Sequence, residues 1–380
     1  MVDVRGSVRR RGPGHWEIRF ELGYDPNGKR IRRFESVAGT RRDADRQLAR
    51  RLHELETGTL VSPGKLTVAA FASRWLEDTR ATVAPRTFER YEEVVRLHVV
   101  PELGMHRLSE LRVAHIVRAQ QAWREAALAP RTVLKIHRIV FKMLDDAVRW
   151  QLLSVNPCAA VRAPHVERRE MTALSLEQAR SLLDQVSGTE HGVMLATAIH
   201  TGLRLGELRG LRWVDVDLES GRLSVTQTLQ RVDGELRVGV TKTHRSRRAV
   251  TLAPQMVALL RHHRRRQVEA HLAAGDAWED RWGIVFTDAL GRPVSDMAVR
   301  WALWRALQAA GLPRVRLHDL RHTAATLMLG QGVHPKIVSE MLGHSTVAVT
   351  LDLYSHVTPT MQREAADRLG ALLDGPNRSS

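Results

Sequence analysis

Residues 317–328 read Leu-His-Asp-Leu-Arg-His-Thr-Ala-Ala-Thr-Leu-Met, and their spacing predicts a helix. Leu317, Leu320, Ala324, Leu327 and Met328 recur at three- and four-residue intervals and form one apolar stripe. His318 and Arg321 are three apart, share the other face, and are expected to point into a cleft or into solvent. Both can donate to a single phosphate, the arginine through two parallel N–H bonds. Taken alone, the pair reads equally as a solvated helix face. His318 and His322 also have the four-residue spacing of a zinc-binding helix, but that motif requires Glu directly after the first histidine. Asp319 stands there instead, and Arg321 would set a cation between the two ligands. No metal is expected.

Further along come Leu342-Gly343-His344 and then Leu353-Tyr354. The chain has only three tyrosines, Tyr24, Tyr91 and Tyr354. A free phenol, with a pKa of ~10, is a poor nucleophile unless its proton is taken or its oxyanion stabilised. By itself Tyr354 reads as a half-buried core residue. Upstream, Thr201-Gly202-Leu203-Arg204-Leu205-Gly206-Glu207 places Arg204 after a glycine-permitted bend, with Glu207 three residues on to fix or balance it. Thr241-Lys242-Thr243-His244-Arg245-Ser246-Arg247-Arg248 reads as a basic loop between strands. Of 58 basic residues in the chain only six are lysines, and one of the six is Lys242. Lysine can give up a proton when desolvated and arginine cannot, so Lys242 suits a general acid.

The segments around this stretch divide into distinct units. Residues 1–60 are expected to form a small sheet closed by a helix. His15–Leu22 alternates apolar and polar, Asp25-Pro26-Asn27-Gly28 is a turn, Lys29–Ser36 returns, an earlier strand lies in Val4–Arg11, and Thr40 caps a helix to Glu56. Residues 66–158 read as all-helical. Helices open at Thr67 and at Ala84-Pro85, and two more span Val113–Ala126 and Pro130–Leu153. The last carries Val133, Ile136, Val140, Phe141, Leu144 and Val148 on one stripe. Residues 161–172 read as a charged connector. Residues 173–380 are expected to be mainly α with a three-stranded sheet. Ser175-Leu176-Glu177-Gln178 opens it as a capping box. The strands are Leu223–Leu229, Leu236–Thr241 and Arg248–Leu252, with Asp233-Gly234 as the hairpin turn. A last helix is expected over Thr358–Leu373.

Composition bounds the function. A net charge of +16 favours polyanionic partners through phosphate neutralisation. Arginine-rich codon usage is the competing explanation, although the 42 acidic residues have not risen to match. No apolar run approaches the ~20 residues of a membrane span. The opening residues Met1 to Arg5 lack the apolar core of a signal peptide. Cys158 is the only cysteine, which excludes an internal disulfide. The expected location is the cytoplasm.

Together these residues resemble the tyrosine recombinase (phage integrase) family. Arg204 in Thr-Gly-Leu-Arg is similar to the family's first catalytic arginine, with Glu207 as its supporting acid. Lys242 resembles the β-hairpin lysine, His318 and Arg321 the His-x-x-Arg pair, His344 the following His/Trp position, and Tyr354 the nucleophile. The resemblance implies an N-terminal arm-type DNA-binding domain at 1–60, a core-binding domain at 66–158 and a catalytic domain from 173. It implies site-specific recombination of double-stranded DNA attachment sites through a 3′-phosphotyrosyl link and a Holliday junction. The enzyme would act as a homotetramer on nucleoid DNA, with no cofactor, and with an excision factor or a DNA-bending protein as accessory partners. Arg86, Lys135, Arg138, Arg245, Arg247 and Arg248 are candidate DNA contacts. Two other readings share the residues: a topoisomerase of the type IB kind, and a non-catalytic DNA-binding regulator on the same fold.

Overall fold

The computed structural model describes residues 6–24, 30–56, 66–167, 172–240, 247–343, 346–348, 350–351, 367 and 369–370. The chain divides into two compact units, Met1–Arg168 and Arg169–Ser380, and the division falls inside the charged connector.

The first unit contains two separate hydrophobic cores. Strands β1 (Gly6–Gly12), β2 (His15–Tyr24) and β3 (Arg30–Ala38) form an antiparallel sheet in that order. Period-2 alternation sends Ile18 and Phe20 inward, both fully buried with Ala44 of helix α1 (Arg41–Glu56). Thr40 and Asp43 cap that helix reciprocally: Thr40 N–H donates to Asp43 Oδ2 at 2.9 Å and Asp43 N–H to Thr40 Oγ1 at 3.3 Å. On the outer face Phe34 of β3 is 56% exposed, and the Arg19 guanidinium lies 5.9 Å from its ring centroid.

The second core is helical: α2 (Val68–Arg80), α3 (Pro85–Val94), α4 (Val100–Leu103), α5 (Val113–Glu125) and α6 (Pro130–Arg149). Thr67 caps α2, its hydroxyl accepting from Ala70 N–H at 3.2 Å, and Pro85 and Pro130 occupy first-turn positions where no N–H is needed. Between α3 and α4 the chain makes one π-helical stretch, Val95–Val99, ahead of Pro101. The stripe on α6 is present with one change: Val133, Ile136, Val140 and Leu144 are fully buried, while Phe141 is 39% exposed at its edge. Trp75 is fully buried and donates Nε1–H to Asp146 at 2.7 Å, so its polar atom is satisfied inside the core.

The second unit packs α7 (Leu176–Val186), α8 (Gly192–Thr201), α9 (Leu205–Arg209), α10 (Pro254–Ala274), α11 (Asp296–Ala309), α12 (Leu317–Gly330) and α13 (Pro335–Leu342) with strands β4 (Val216–Asp217), β5 (Arg222–Val225), β6 (Gln227–Val232), β7 (Glu235–Val240) and β8 (Arg248–Thr251). Ser175 and Gln178 form the capping box of α7. A three-stranded sheet is present, but its membership differs from the expectation. The single strand expected over 223–229 breaks at Thr226. Among the described residues its first half, β5, pairs with β4 and β8, and its second half, β6, pairs with β7 alone. At the break Thr226 Oγ1 bonds Asp215 at 3.1 Å, so a side chain ties down the residue that leaves the ladder. The β6–β7 turn is Asp233-Gly234, with φ of 51° and 77°, as a type I′ turn requires. The expected helix over 358–373 falls almost wholly outside the described residues. Among the described residues no helix is long and apolar enough to cross a membrane.

Candidate active site

Three segments of the second unit converge: the turn after α8, the first turns of α12, and the end of α13. Helix α8 stops at Gly202, whose φ of +63° lies in the left-handed region. A Cβ there would sit 2.2 Å from Leu342 Cδ2, so only glycine lets this turn close against α13. Arg204 is then extended and stands at the N-cap of α9. Glu207, at the third position of that helix, accepts from the Arg204 backbone N–H at 2.9 Å and from Nη1 at 2.8 Å. Arg204 Nη2 donates to the Gly343 carbonyl at 3.0 Å, which joins this turn to the end of α13. The Arg204 side chain is 41% exposed and the Glu207 side chain 2%.

Helix α12 begins at a fixed point because Asp319 accepts from the Arg316 backbone N–H at 2.8 Å and from its guanidinium at 2.9 and 3.0 Å. Thr323 Oγ1 accepts from Leu174 N–H at 3.0 Å and donates to the Asp319 carbonyl at 3.0 Å. His318 is exposed, as the helical pattern anticipates. Arg321 is not: it is 2% exposed, beneath the surface that its wheel position implied. Its Nη1 donates to the Gly202 carbonyl at 2.8 Å, while Nη2 is buried and has no acceptor among the described residues. Burial, then the neighbouring Arg204 charge, pulls the Arg321 pKa down to about 9, with Glu207 opposing. It remains a cation at neutral pH. A buried guanidinium with an idle N–H is costly unless an anion arrives to use it. Although the residue reaches solvent, its neighbours displace part of the water around the ring; that partial burial, then the Arg321 charge, holds the His318 pKa below the ordinary histidine value. His318 is therefore neutral at pH 7 and able to accept a proton.

His322 stands one turn on, its ring perpendicular to that of His318 with centroids 4.9 Å apart, and its Nδ1 is buried with no partner among the described residues. Burial, then His318, lowers its pKa to about 4. Between that value and the unfolded value of ~6.5 the unfolded chain binds the extra proton, so stability falls as pH falls through this window. Acidification from pH 7 to 4 is expected to remove ~3 kcal/mol at this residue. A His322→Gln variant, with no proton to bind, should lose less by about that amount in urea melts at the two pH values. Equal losses in both proteins would rule the account out. Among the described residues no group of three His, Cys, Asp or Glu side chains is arranged as a metal site needs.

The structure thus brings Arg204, Glu207, His318 and Arg321 together. Lys242, Arg245, His344 and Tyr354 lie outside the described residues. Of the candidate DNA contacts, Arg86, Arg138 and Arg247 are exposed, and Lys135 is half-buried, 3.9 Å from Glu93. Arg248 is a correction. Its side chain is 6% exposed and turned inward, where Nη2 and Nη1 donate to the two Glu207 oxygens at 2.8 and 3.1 Å. The cause is strand parity: Arg248 lies on the same face of β8 as the fully buried Val250, and it pairs with the buried Val225. The signal was present in Arg248-Ala249-Val250-Thr251-Leu252, but the charge of the loop before it outweighed the alternation. Burial would raise the Glu207 carboxyl pKa, but the hydrogen bond and charge of Arg248, followed by Arg204, hold it below the ordinary value.

A helix-rich unit that brings two arginines and a histidine together, one arginine bound to a buried carboxylate, has the make-up of a tyrosine recombinase, an enzyme that breaks and rejoins DNA. The chain belongs to the phage integrase family: residues 172–361 match that family, and residues 67–124 match the phage integrase N-terminal SAM-like domain. A tyrosine recombinase XerC-like protein of Caldanaerobacter subterraneus subsp. tengcongensis is 28% identical over 382 residues, covering 96% of this chain and 97% of the relative. An integrase of Streptomyces ambofaciens is 30% identical over 397 residues, covering 97% and 99%. The Tn1549 transposon integrase, solved in complex with transposon right end DNA, shares the fold with a TM-score of 0.69 at 20% identity, over 80% of this chain and all of that one.

Proposed function

We propose that this integrase joins two double-stranded DNA attachment sites, with Tyr354 as nucleophile and Arg204, Arg321, His318 and His344 as the grip on the scissile phosphate. The observation that carries the reading is the buried Arg321, whose Nη2 has no acceptor among the described residues, beside the half-exposed Arg204. Two fixed cations of this kind stabilise the charge that builds on the non-bridging oxygens in the transition state. The Tyr354 oxygen bonds to phosphorus, the bond to the 5′-oxygen breaks, and Lys242 protonates that oxygen as it leaves. The phenol proton passes to His318. The 5′-hydroxyl of the partner strand then attacks the phosphotyrosine and frees the tyrosine. Bond energy is kept in the covalent link, so the cycle needs neither nucleotide nor metal. Two exchanges across a Holliday junction with four DNA arms call for four protomers.

The test is a nicked suicide substrate mixed with a second duplex. The recombinase is expected to form a covalent adduct and then join strands between duplexes. Adduct followed only by resealing of the same duplex marks a topoisomerase, and binding without adduct marks a regulator.

The sheet of residues 6–38 supports an arm-binding role for the N-terminal segment. Its outer face carries Arg19, Arg32 and Phe34, groups that contact phosphate and base edges. Removing residues 1–60 should lower affinity for accessory sites in footprinting at fixed salt and leave core-site cleavage measurable; unchanged accessory-site affinity rejects this role.

A further inference from the structure

Arg248 takes no part in the phosphate grip, yet it holds the parts of that grip together. Besides its two bonds to Glu207, its Nε donates to the Met341 carbonyl at 2.6 Å. The contacts close a ring. Arg248 binds Glu207, Glu207 binds Arg204, Arg204 binds the Gly343 carbonyl, and the chain leads back through α13 to Met341 and Arg248. Gly343, with φ of +67°, completes the ring by close approach, since a Cβ there would lie 2.9 Å from Arg248 Nη1. The ring joins the N-cap of α9, the start of β8 and the end of α13, and its Arg248 and Glu207 side chains are nearly sealed from water.

Counting donors and acceptors shows what Arg248 does. Glu207 has two oxygens. If Arg204 were its only cation, the pair could become bidentate, which is the preferred geometry of a guanidinium with a carboxylate. Arg204 would then spend its charge and its paired N–H groups on Glu207. Arg248 takes one acceptor site on each oxygen and the Arg204 backbone N–H takes the second on Oε2, so the Arg204 side chain is left with one bond to Glu207, at Oε1, and one to the Gly343 carbonyl. The geometry points to Arg248 as a positioning residue that anchors Glu207 while preventing it from neutralising Arg204, which keeps the Arg204 charge available to an anionic substrate. The inference rests on the assignment of Arg204 to the phosphate grip.

The experiment measures the rate of covalent adduct formation at saturating DNA, with binding affinity and thermal melting recorded for each variant. Arg248→Met is expected to slow the reaction ~100-fold, the scale of losing one preorganised donor, with DNA affinity within a few-fold of wild type. The deciding variant is Arg248→Met combined with Glu207→Gln. If Arg248 acts by restraining the carboxylate, removing the carboxylate charge should restore ~10-fold of the lost rate, whereas a purely packing role predicts a double variant no faster than the single one. A double variant equal to or slower than Arg248→Met overturns the inference. Should Arg248→Met fail to fold, Arg248→Lys decides, because lysine keeps the charge but not the planar fork. It is expected to melt near wild type and react ~10-fold more slowly, and wild-type speed overturns the inference. A wild-type protein that forms no adduct sinks the functional reading and this inference with it. Wild-type cleavage without the rescue sinks this inference alone.

Discussion

Tyr354→Phe is expected to bind its DNA site with unchanged affinity and to form no covalent adduct. The substitution removes one oxygen and keeps the ring, so contacts that depend on shape survive while the attacking atom is lost. Removing a nucleophile that works as part of a set costs on the order of 10⁴-fold or more in rate. The other tyrosines offer no substitute. Tyr91 is committed to the helical core of the first unit, stacked on Trp75 at 5.2 Å, and Tyr24 ends β2 of the N-terminal sheet. Denaturing gels that retain covalent protein–DNA species read the outcome directly. An adduct formed by the variant at the wild-type rate would falsify the assignment of Tyr354.

Glu207→Ala is expected to destabilise the second unit by ~3–5 kcal/mol, the scale of breaking a buried ion pair by removing one partner. The Glu207 and Arg248 side chains are 2% and 6% exposed, so solvent cannot take over the missing contacts. The substitution leaves Arg248 buried with only the Met341 carbonyl of its named acceptors, and it removes the acceptor of the Arg204 backbone N–H at the start of α9. Glu207→Gln, which keeps shape and one acceptor, should be milder. The pH dependence follows from the lowered Glu207 pKa. Its stabilisation is present above the unfolded carboxyl value of ~4.3 and is lost as pH falls through the lower folded value. Denaturant melts of wild type and variant provide the measurement, and a loss below ~1 kcal/mol would show that this carboxylate is not what compensates Arg248.

Much of the architecture was legible because its signals are local. Thr40, Thr67, Pro85, Pro130 and Ser175 open the helices where capping chemistry places them. Asp233-Gly234 makes its hairpin because both residues tolerate positive φ. Of the expected site residues, Arg204, Glu207, His318 and Arg321 stand among the described residues of the second unit, and Lys242, His344 and Tyr354 lie outside them. Three features were hidden, each for a physical reason. Strand propensity runs through Thr226 without interruption, and only pairing with different partners breaks it there. The wheel position of Arg321 separates it from its own apolar stripe but cannot show that Gly202 and α13 close over it. Arg248 obeyed strand parity, but a run of cations makes the neighbouring residues look solvated, and nothing nearby in the chain announces that Glu207, 41 residues earlier, is its partner.

The turn at Gly202 has a further consequence for anyone altering this enzyme. Any side chain at that position meets Leu342 and must also adopt a backbone conformation that L residues resist. Trimming Leu342 relieves the first problem and leaves the second. A library that randomises the loop before Arg204 will therefore return glycine at this position whatever target it is selected against, and diversity is better spent on positions whose backbone accepts any residue.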